Sequence, residues 1–360
     1  MLNPGTPIRR WLLWVAAPYA LAARLRAWLY GRGWFRQRRL PVPVISVGNL
    51  TMGGTGKTPV VIRLAEWLSA EGKRVAILSR GYRRNSTVSK LLVSNGQDIL
   101  AGPEEAGDEP HLMARRCPKA IVAVGADRYE LGRWILDRHS VDCILLDDGF
   151  QHLGLHRDVD ILLIDATDVD GLGASLPAGR LREPIQAAHR ATSVMITRAD
   201  DPDLVTAALT RLRTVLSRDL IPGQIIFRPE ALVSVASDER RSIQWGRGKT
   251  ALLCSGIGNA ASFRMLAEAT GLSILDETSY ADHHRYTPVD VNDIRGRAKA
   301  VRAELVVTTE KDAGKLARLI GADEAIWWAL RIGAEVTSGE DRLRELVTHL
   351  PAARMTEACA

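Results

Sequence analysis

The chain of 360 residues is poor in features that would place it outside the cell. Its four cysteines, Cys117, Cys143, Cys254 and Cys359, lie far apart and form no C-x-x-C pair. That spacing excludes a disulfide framework and a cysteine-rich zinc site, and makes a reducing compartment the expectation. Internal repeats and low-complexity tracts are also missing, and 46% hydrophobic with 25% charged residues is ordinary for a globular protein with room for two domains. Charge is not spread evenly along the chain. Residues 1–45 hold eight arginines and no aspartate or glutamate, so the net charge of +6 belongs to this segment and the remainder is slightly acidic. A basic surface spread over the molecule for nucleic acid is thereby excluded.

The basic segment reads RRWLLWVAAPYALAARLRAWLYGRGWFRQRR. Its uncharged run, Trp11 to Ala23, is thirteen residues, too short to span a bilayer. Trp11, Trp14, Tyr19, Trp28, Tyr30 and Trp34 supply amphipathic rings among the arginines. This composition suits a helix lying in a membrane interface and drawn to anionic headgroups. A signal peptide is the competing reading, and the arginines that would follow cleavage oppose it. A helix packed on the protein's own core is the plainer alternative.

After Pro41, short β-branched runs alternate with helical patterns. Strands are expected at 42–47, 74–79, 120–124, 143–147, 160–165 and 193–197, with helices at Lys57–Ala70, Asp127–His139 and Pro202–Ser217. Buried strands alternating with helices predict an α/β fold with a mainly parallel sheet, whose ligands sit at the carboxyl ends of the strands. Residues 221–250 alternate apolar and polar positions and read as a short β linker. A second, smaller α/β unit follows from about 251, carrying ELVVTTEKD before a helical tail. The expected division is 1–40 for the interface helix, 41–220 for the nucleotide-binding core, 221–250 for the linker and 251–360 for the second domain. The terminal PAARMTEACA reads as frayed.

Chemistry concentrates first in TMGGTGKTP. A strand, then Gly53, Gly54, Thr55 and Gly56, then a helix from Lys57 is the context of a phosphate-binding P-loop. The glycines allow backbone N–H groups to converge on phosphate oxygens. Lys57 offers charge to the β- and γ-phosphates and Thr58 a hydroxyl to Mg²⁺. Thr51 stands where the strict pattern has glycine. CILLDDGFQH ends a strand in Asp147-Asp148, a carboxylate pair suited to the same metal, with either residue open as the ligand. Asp108 in AGDEP reads equally as a helix cap or a chemical group. In DHHRYTP, either His283 or His284 is a candidate base, with Thr287 and Pro288 opening a helix. GRLREP offers Arg180, Arg182 and Glu183 for phosphate or metal, and the glycines of CSGIGN read as a strand-to-helix turn.

Together, VGNLTMGGTGKTP, LSRGYRR, AGDEP, LDDGFQHLGLHRD, GRLREP, SGIGN, DHHRY and TTEKD, in this order from Val47 to Asp312, resemble the tetraacyldisaccharide 4′-kinases of lipid A biosynthesis. The resemblance implies a P-loop core with a second α/β domain joined by a small β linker. It implies transfer of the γ-phosphate of ATP, with Mg²⁺, to the 4′-hydroxyl of a tetraacyl glucosamine disaccharide 1-phosphate. It places that reaction at the cytoplasmic face of the bacterial inner membrane, with the N-terminal helix seating the protein there. Residue by residue, it implies nucleotide contacts from Thr51 through the glycines to Lys57 and Thr58, and a metal set of Thr58, Asp147, Asp148 and Glu183. Asp108 becomes the base assisted by His283, and Arg80, Tyr82 and Arg83 become contacts for the acceptor. The partners implied are the acylated disaccharide and a membrane surface, with no nucleic acid and no obligate protein. The rival reading is a membrane-associated P-loop GTPase switch, for which ITRAD (196–200) loosely supplies a guanine-reading element.

Overall fold

The structure is a computed structural model that describes residues 9–82, 84–321 and 325–350. The N-terminal helix α1 (Leu13–Gly31) leads into β1 (Val44–Asn49), α2 (Lys57–Ala70), β2 (Val75–Ser79) and β3 (Lys90–Asn95). Next come α3 (Pro103–Ala106), α4 (Asp108–Arg116), β4 (Ile121–Gly125), α5 (Arg128–Leu136), β5 (Cys143–Asp147), β6 (Val159–Asp165), β7 (Ser193–Thr197) and α6 (Pro202–Leu212). The chain continues through β8 (Gly223–Ser234), β9 (Arg240–Ser242), α7 (Ile243–Gly246), β10 (Thr250–Ser255), α8 (Ala260–Glu268) and β11 (Ser273–Ser279). It closes with α9 (Pro288–Ala300), β12 (Leu305–Thr309), α10 (Glu310–Leu316), β13 (Trp327–Ser338) and α11 (Glu340–Thr348).

The described strands form one sheet in the order β11-β10-β12-β13-β8-β7-β6-β1-β5-β2-β4-β3, with β9 beside β8. Every residue of β1, β2, β4, β5 and β6 is buried. Strands covered on both faces have no polar alternation, which is why these segments read as continuous apolar runs. Neighbouring pairs are parallel except β3–β4, β8–β9 and the long β8–β13 ladder. That antiparallel ladder joins the two halves, so residues 221–250 lie within the same sheet rather than beside it. The helical tail expected after TTEKD is interrupted by a twelve-residue strand, β13, set between α10 and α11. Its partner β8 lies far upstream, a pairing that local pattern does not reveal.

Local rules account for most helix starts. Asp201 accepts the Asp203 N–H at 2.8 Å, with Pro202 opening α6. Thr287 and Asp290 form a reciprocal capping box, with Pro288 opening α9. Helix α1 obeys a different rule. Ala16 is its one buried residue, while Trp11 and Trp14 just before and within it are 70% and 75% exposed and Trp34 just after it is 75% exposed. The apolar surface of α1 is therefore not spent on the protein's own core. No helix among the described residues is long and apolar enough to cross a membrane. The terminal PAARMTEACA and Arg83 lie outside the described residues.

Candidate active site

Strand β1 runs between β5 and β6, and the loop after it opens at the carboxyl edge of the sheet. Gly53 and Gly56 have φ of 127° and 81°, values that only glycine adopts without strain. The loop's carbonyls are held from outside. Arg180 Nε donates to Met52 O at 3.1 Å, Arg198 Nη2 to Gly54 O at 3.0 Å, and Thr197 Oγ1 to Thr55 O at 3.0 Å. A trans peptide sets C=O and the following N–H in opposite directions. Fixing these three carbonyls therefore turns the N–H groups of Gly53, Thr55 and Gly56 the other way, as a phosphate cradle requires. Thr51 is buried and pairs with Leu181, and Asn49 Nδ2 donates to Thr51 O at 2.9 Å. Lys57 Nζ donates to Asn49 Oδ1 at 3.2 Å and lies 3.6 Å from Asp148. Thr58, half-buried, follows at the first turn of α2.

The Asp147-Asp148 pair is split by its surroundings. Asp147 is buried at the end of β5, where Ser79 Oγ donates to Oδ2 at 2.9 Å and Oδ1 has no hydrogen-bond partner. Burial, with the charges of Glu109 and Asp148, pushes its pKa up to about 7. Asp148 has φ 54° and turns towards Arg182, whose Nη1 lies 2.9 and 2.7 Å from its two oxygens. Burial raises its pKa, but Lys57 and Arg182 outweigh that and bring it down to about 2. Glu183 is buried against Arg190 at 2.8 Å and keeps one oxygen, Oε1, without a partner. No group of three or more His, Cys, Asp or Glu among the described residues forms a closed metal cage. An open site made from Thr58, one or two carboxylates and the nucleotide's own oxygens needs no such cage. Asp147 Oδ1 and Glu183 Oε1 are both buried without a hydrogen-bond partner, and carboxylate oxygen is the donor type a hard divalent cation takes.

The remaining residues gather on the other side. Asp108 is the first residue of α4 and its side chain caps nothing; Gly107 holds the cap position at φ 95°. Its Oδ2 faces His283 Nδ1 at 3.2 Å and Lys315 Nζ at 3.3 Å, both from the second half of the chain. His284 turns away to Asp290 and stacks on Tyr280. Lys311 Nζ lies 3.3 Å from His283 Nε2, and an ammonium only donates. Nε2 is thus an acceptor, which puts the imidazole proton on Nδ1, aimed at Asp108. Burial alone would raise the Asp108 pKa; the His283 hydrogen bond and the charges of Lys315 and Lys311 outweigh it and hold the carboxyl below its ordinary range. Tyr82, 51% exposed, meets the His283 ring edge-on with centroids 5.7 Å apart, and Arg80 is exposed beside it.

Several roles differ from expectation. Arg180 is buried in an ion pair with Asp168 at 2.7 Å, so it braces the phosphate loop rather than waiting for a ligand. Arg198 of ITRAD likewise braces Gly54 and reaches Ser262 of α8 at 3.2 Å. Sequence reasoning gave no role to Asn49, Lys311 or Lys315, although VGN and TTEKD were the signals. Gln151, which donates to Asn49 O at 2.9 Å, sits in the quoted DDGFQH segment.

Residues 8–351 match the family described as tetraacyldisaccharide-1-P 4′-kinase. The chain belongs to this family. It is 42% identical over 306 residues to the tetraacyldisaccharide 4′-kinase of Syntrophus aciditrophicus, covering 83% of this chain and 82% of the relative. It is 38% identical over 334 residues to that of Anaeromyxobacter sp. strain Fw109-5, covering 93% and 89%. LpxK from Aquifex aeolicus, solved in complex with ATP, shares 32% identity and superimposes with a TM-score of 0.76 over 95% of this chain and 99% of its own. The protein is thus an ATP-dependent kinase that phosphorylates the 4′-position of tetraacyldisaccharide 1-phosphate, a lipid A precursor, with ATP and a divalent metal as cofactors. The GTPase reading is the weaker one.

Proposed function

We propose that the kinase works with Asp108 as general base, oriented by His283, against a nucleotide held by the loop from Thr51 to Thr58. The observation that carries this reading is an aspartate at a helix start whose side chain caps nothing and whose Oδ2 instead accepts from His283 Nδ1 across the two halves. Backbone N–H groups of the loop and the Lys57 ammonium hold the β- and γ-phosphates. Thr58, Asp147 and Asp148, with Glu183 behind them, would hold the divalent cation. A bound cation neutralises the charge that builds on the phosphoryl oxygens. As the bond from the 4′-oxygen to the γ-phosphorus forms, the bond to the bridging oxygen breaks. The hydroxyl proton passes to Asp108 and ADP leaves. Such a base contributes about 10²–10⁴-fold in rate. Tyr82 and Arg80, and Arg83 by the sequence pattern, line the approach of the acceptor headgroup.

The same reading places the reaction at the cytoplasmic face of the inner membrane. Its support is the exposed tryptophan and arginine surface of the N-terminal segment, which nothing in the described protein covers. Tyr19 Oη of α1 donates to Arg182 O at 2.9 Å, so the membrane-facing helix sits against a loop of the site. The test is transfer of label from γ-labelled ATP to tetraacyldisaccharide 1-phosphate in micelles. Asp108→Asn should retain the fold and ATP binding while losing about 10²–10⁴-fold in kcat. Near-normal kcat in the folded Asn variant would return Asp108 to a structural role.

A further inference from the structure

Helix α10 reaches the base site with two lysines four residues apart, Lys311 and Lys315, on one face. Lys311 is occupied by Asp282 at 3.2 Å, His283 Nε2 at 3.3 Å and Glu109 at 3.5 Å. Lys315 Nζ donates to His284 O at 3.0 Å and forms ion pairs with Asp312 Oδ1 at 2.8 Å and Asp108 Oδ2 at 3.3 Å. It also lies over the Tyr286 ring, 5.3 Å from its centroid. One carbonyl and two carboxylates of the protein thus surround this ammonium, the carboxylates as ion pairs. Behind it, Asp312 is fully buried and fixed through its other oxygen by Gly256 N at 2.9 Å and Thr309 Oγ1 at 2.8 Å. A rigid chain of contacts thus runs from the core of the second half, through Lys315, to one oxygen of Asp108.

His283 lands on that same oxygen. Among the described residues, no hydrogen bond reaches Asp108 Oδ1, and the approaches of His283 and Lys315 fall on Oδ2. We infer that Lys315 is a positioning residue for phosphoryl transfer: with His283 it pins Asp108 Oδ2 and leaves Oδ1 to face the acceptor hydroxyl. The inference rests on the reading of Asp108 as the base. The charged and titratable groups around Asp108 are few. The loop before α9 contributes His283, with Asp282 tied to Lys311; α10 contributes Lys315 and Lys311; its own helix contributes Glu109 and His111, the latter turned to Ala101 O at 3.2 Å. The crossing of α4 and α10 is close as well. A Cβ on Gly314 would meet the His111 ring at 3.3 Å, so the two helices approach tightly beside Lys315.

The test is the pH profile of kcat for the full-length enzyme in micelles, at saturating ATP and lipid, for wild type, Lys315→Met, Lys315→Gln and Lys315→Arg, with Asp108→Asn as control. Loss of a cation this close raises a carboxyl pKa by about one unit or more. The Met and Gln variants should therefore move the acidic limb upward by about one pH unit, so that the extra loss in kcat appears only at the acid end, below about pH 5, and approaches about tenfold there relative to pH 8.5. KM for ATP should stay within about twofold, and Arg should keep the wild-type limb. A folded Met or Gln variant whose kcat falls equally at every pH would show that Lys315 only holds α10 in place, and would overturn the inference. Asp108→Asn with near-normal kcat would instead overturn the base reading, and with it this one.

Discussion

The phosphate loop and the base site differ in how they are held. The loop is built within one half of the sheet: its carbonyls are pinned by Arg180, Thr197 and Arg198, and its lysine by Asn49. The base site exists only because two halves meet. Asp108 comes from α4, and its partners His283 and Lys315 come from beyond the β8–β13 ladder. One feature is preformed and local, the other assembled at a distance. The two features therefore depend on different contacts, the loop on its own half and the Asp108 cluster on the packing of α4 against the loop before α9 and α10.

Two buried arginines allow that contrast to be broken from either side, and their loss should give the largest effects. Arg180 braces the loop from a position 3% exposed, paired with equally buried Asp168. Arg116, at the far end of α4 from Asp108, gathers Glu310 of α10 at 2.9 Å, Glu230 of β8 at 3.1 Å and Ile332 O of β13 at 3.0 Å. Removing Arg180 takes the guanidinium from buried Asp168 and should destabilise the fold by about 3–5 kcal/mol, whereas Glu310 keeps Arg331 at 3.2 Å when Arg116 is lost and the cost should be smaller, both read by denaturant unfolding. The functional readouts should separate. Arg180→Met should raise KM for ATP, whereas Arg116→Met should leave it near wild type and lower kcat, because α4 loses its registration on α10. Equal effects on both constants would remove the distinction between a preformed and an assembled site.

An intermediate effect is expected at Asp147. Its folded pKa near 7 lies far above the ordinary 3.8, because burial disfavours the charged form. The stabilisation this gives relative to the unfolded chain is complete below about pH 4 and is lost as pH rises through about 7. Nucleotide-free Asp147→Asn cannot ionise at this position. Its Tm should therefore fall less than that of wild type between pH 6 and 8.5, while phosphate transfer collapses. A wild-type Tm that does not fall over this range would mean Asp147 is charged without metal.

What the sequence shows follows the same division. The strand before Gly48, the glycine turn and the helix from Lys57 were readable because each depends on near neighbours: β-branched runs, positive φ, a first-turn lysine. The capping pair Thr287-Asp290 spans four residues and is equally readable. Arg180 was not, since its partners Met52 and Asp168 become neighbours only when GRLREP folds over the loop. Lys315 was hidden for the same reason. Nothing in the local pattern of EKDAGKL distinguishes a lysine facing Asp108 from one facing solvent. Strand β13 was missed because an antiparallel partner so far upstream leaves no periodic trace.

The smallest effect tests whether the N-terminal helix belongs to the preformed or the assembled kind. Its polar contacts with the core are surface bonds: Tyr19 Oη to Arg182 O at 2.9 Å, Arg24 to Gln186 at 3.0 Å, Arg26 to Gln151 O at 3.3 Å. Tyr19→Phe deletes one exposed hydrogen bond and should change stability by less than about 1 kcal/mol. If the helix is merely an anchor, kcat in micelles and binding to anionic vesicles should both match wild type. If it also sets the GRLREP loop, vesicle binding should hold while kcat falls about two- to fivefold, a loss of under about 1 kcal/mol in the barrier. The bond leads to Arg182, and Arg182 grips Asp148, so the second outcome is the one expected. It would place the N-terminal helix with the assembled elements, acting on Asp148 through Arg182.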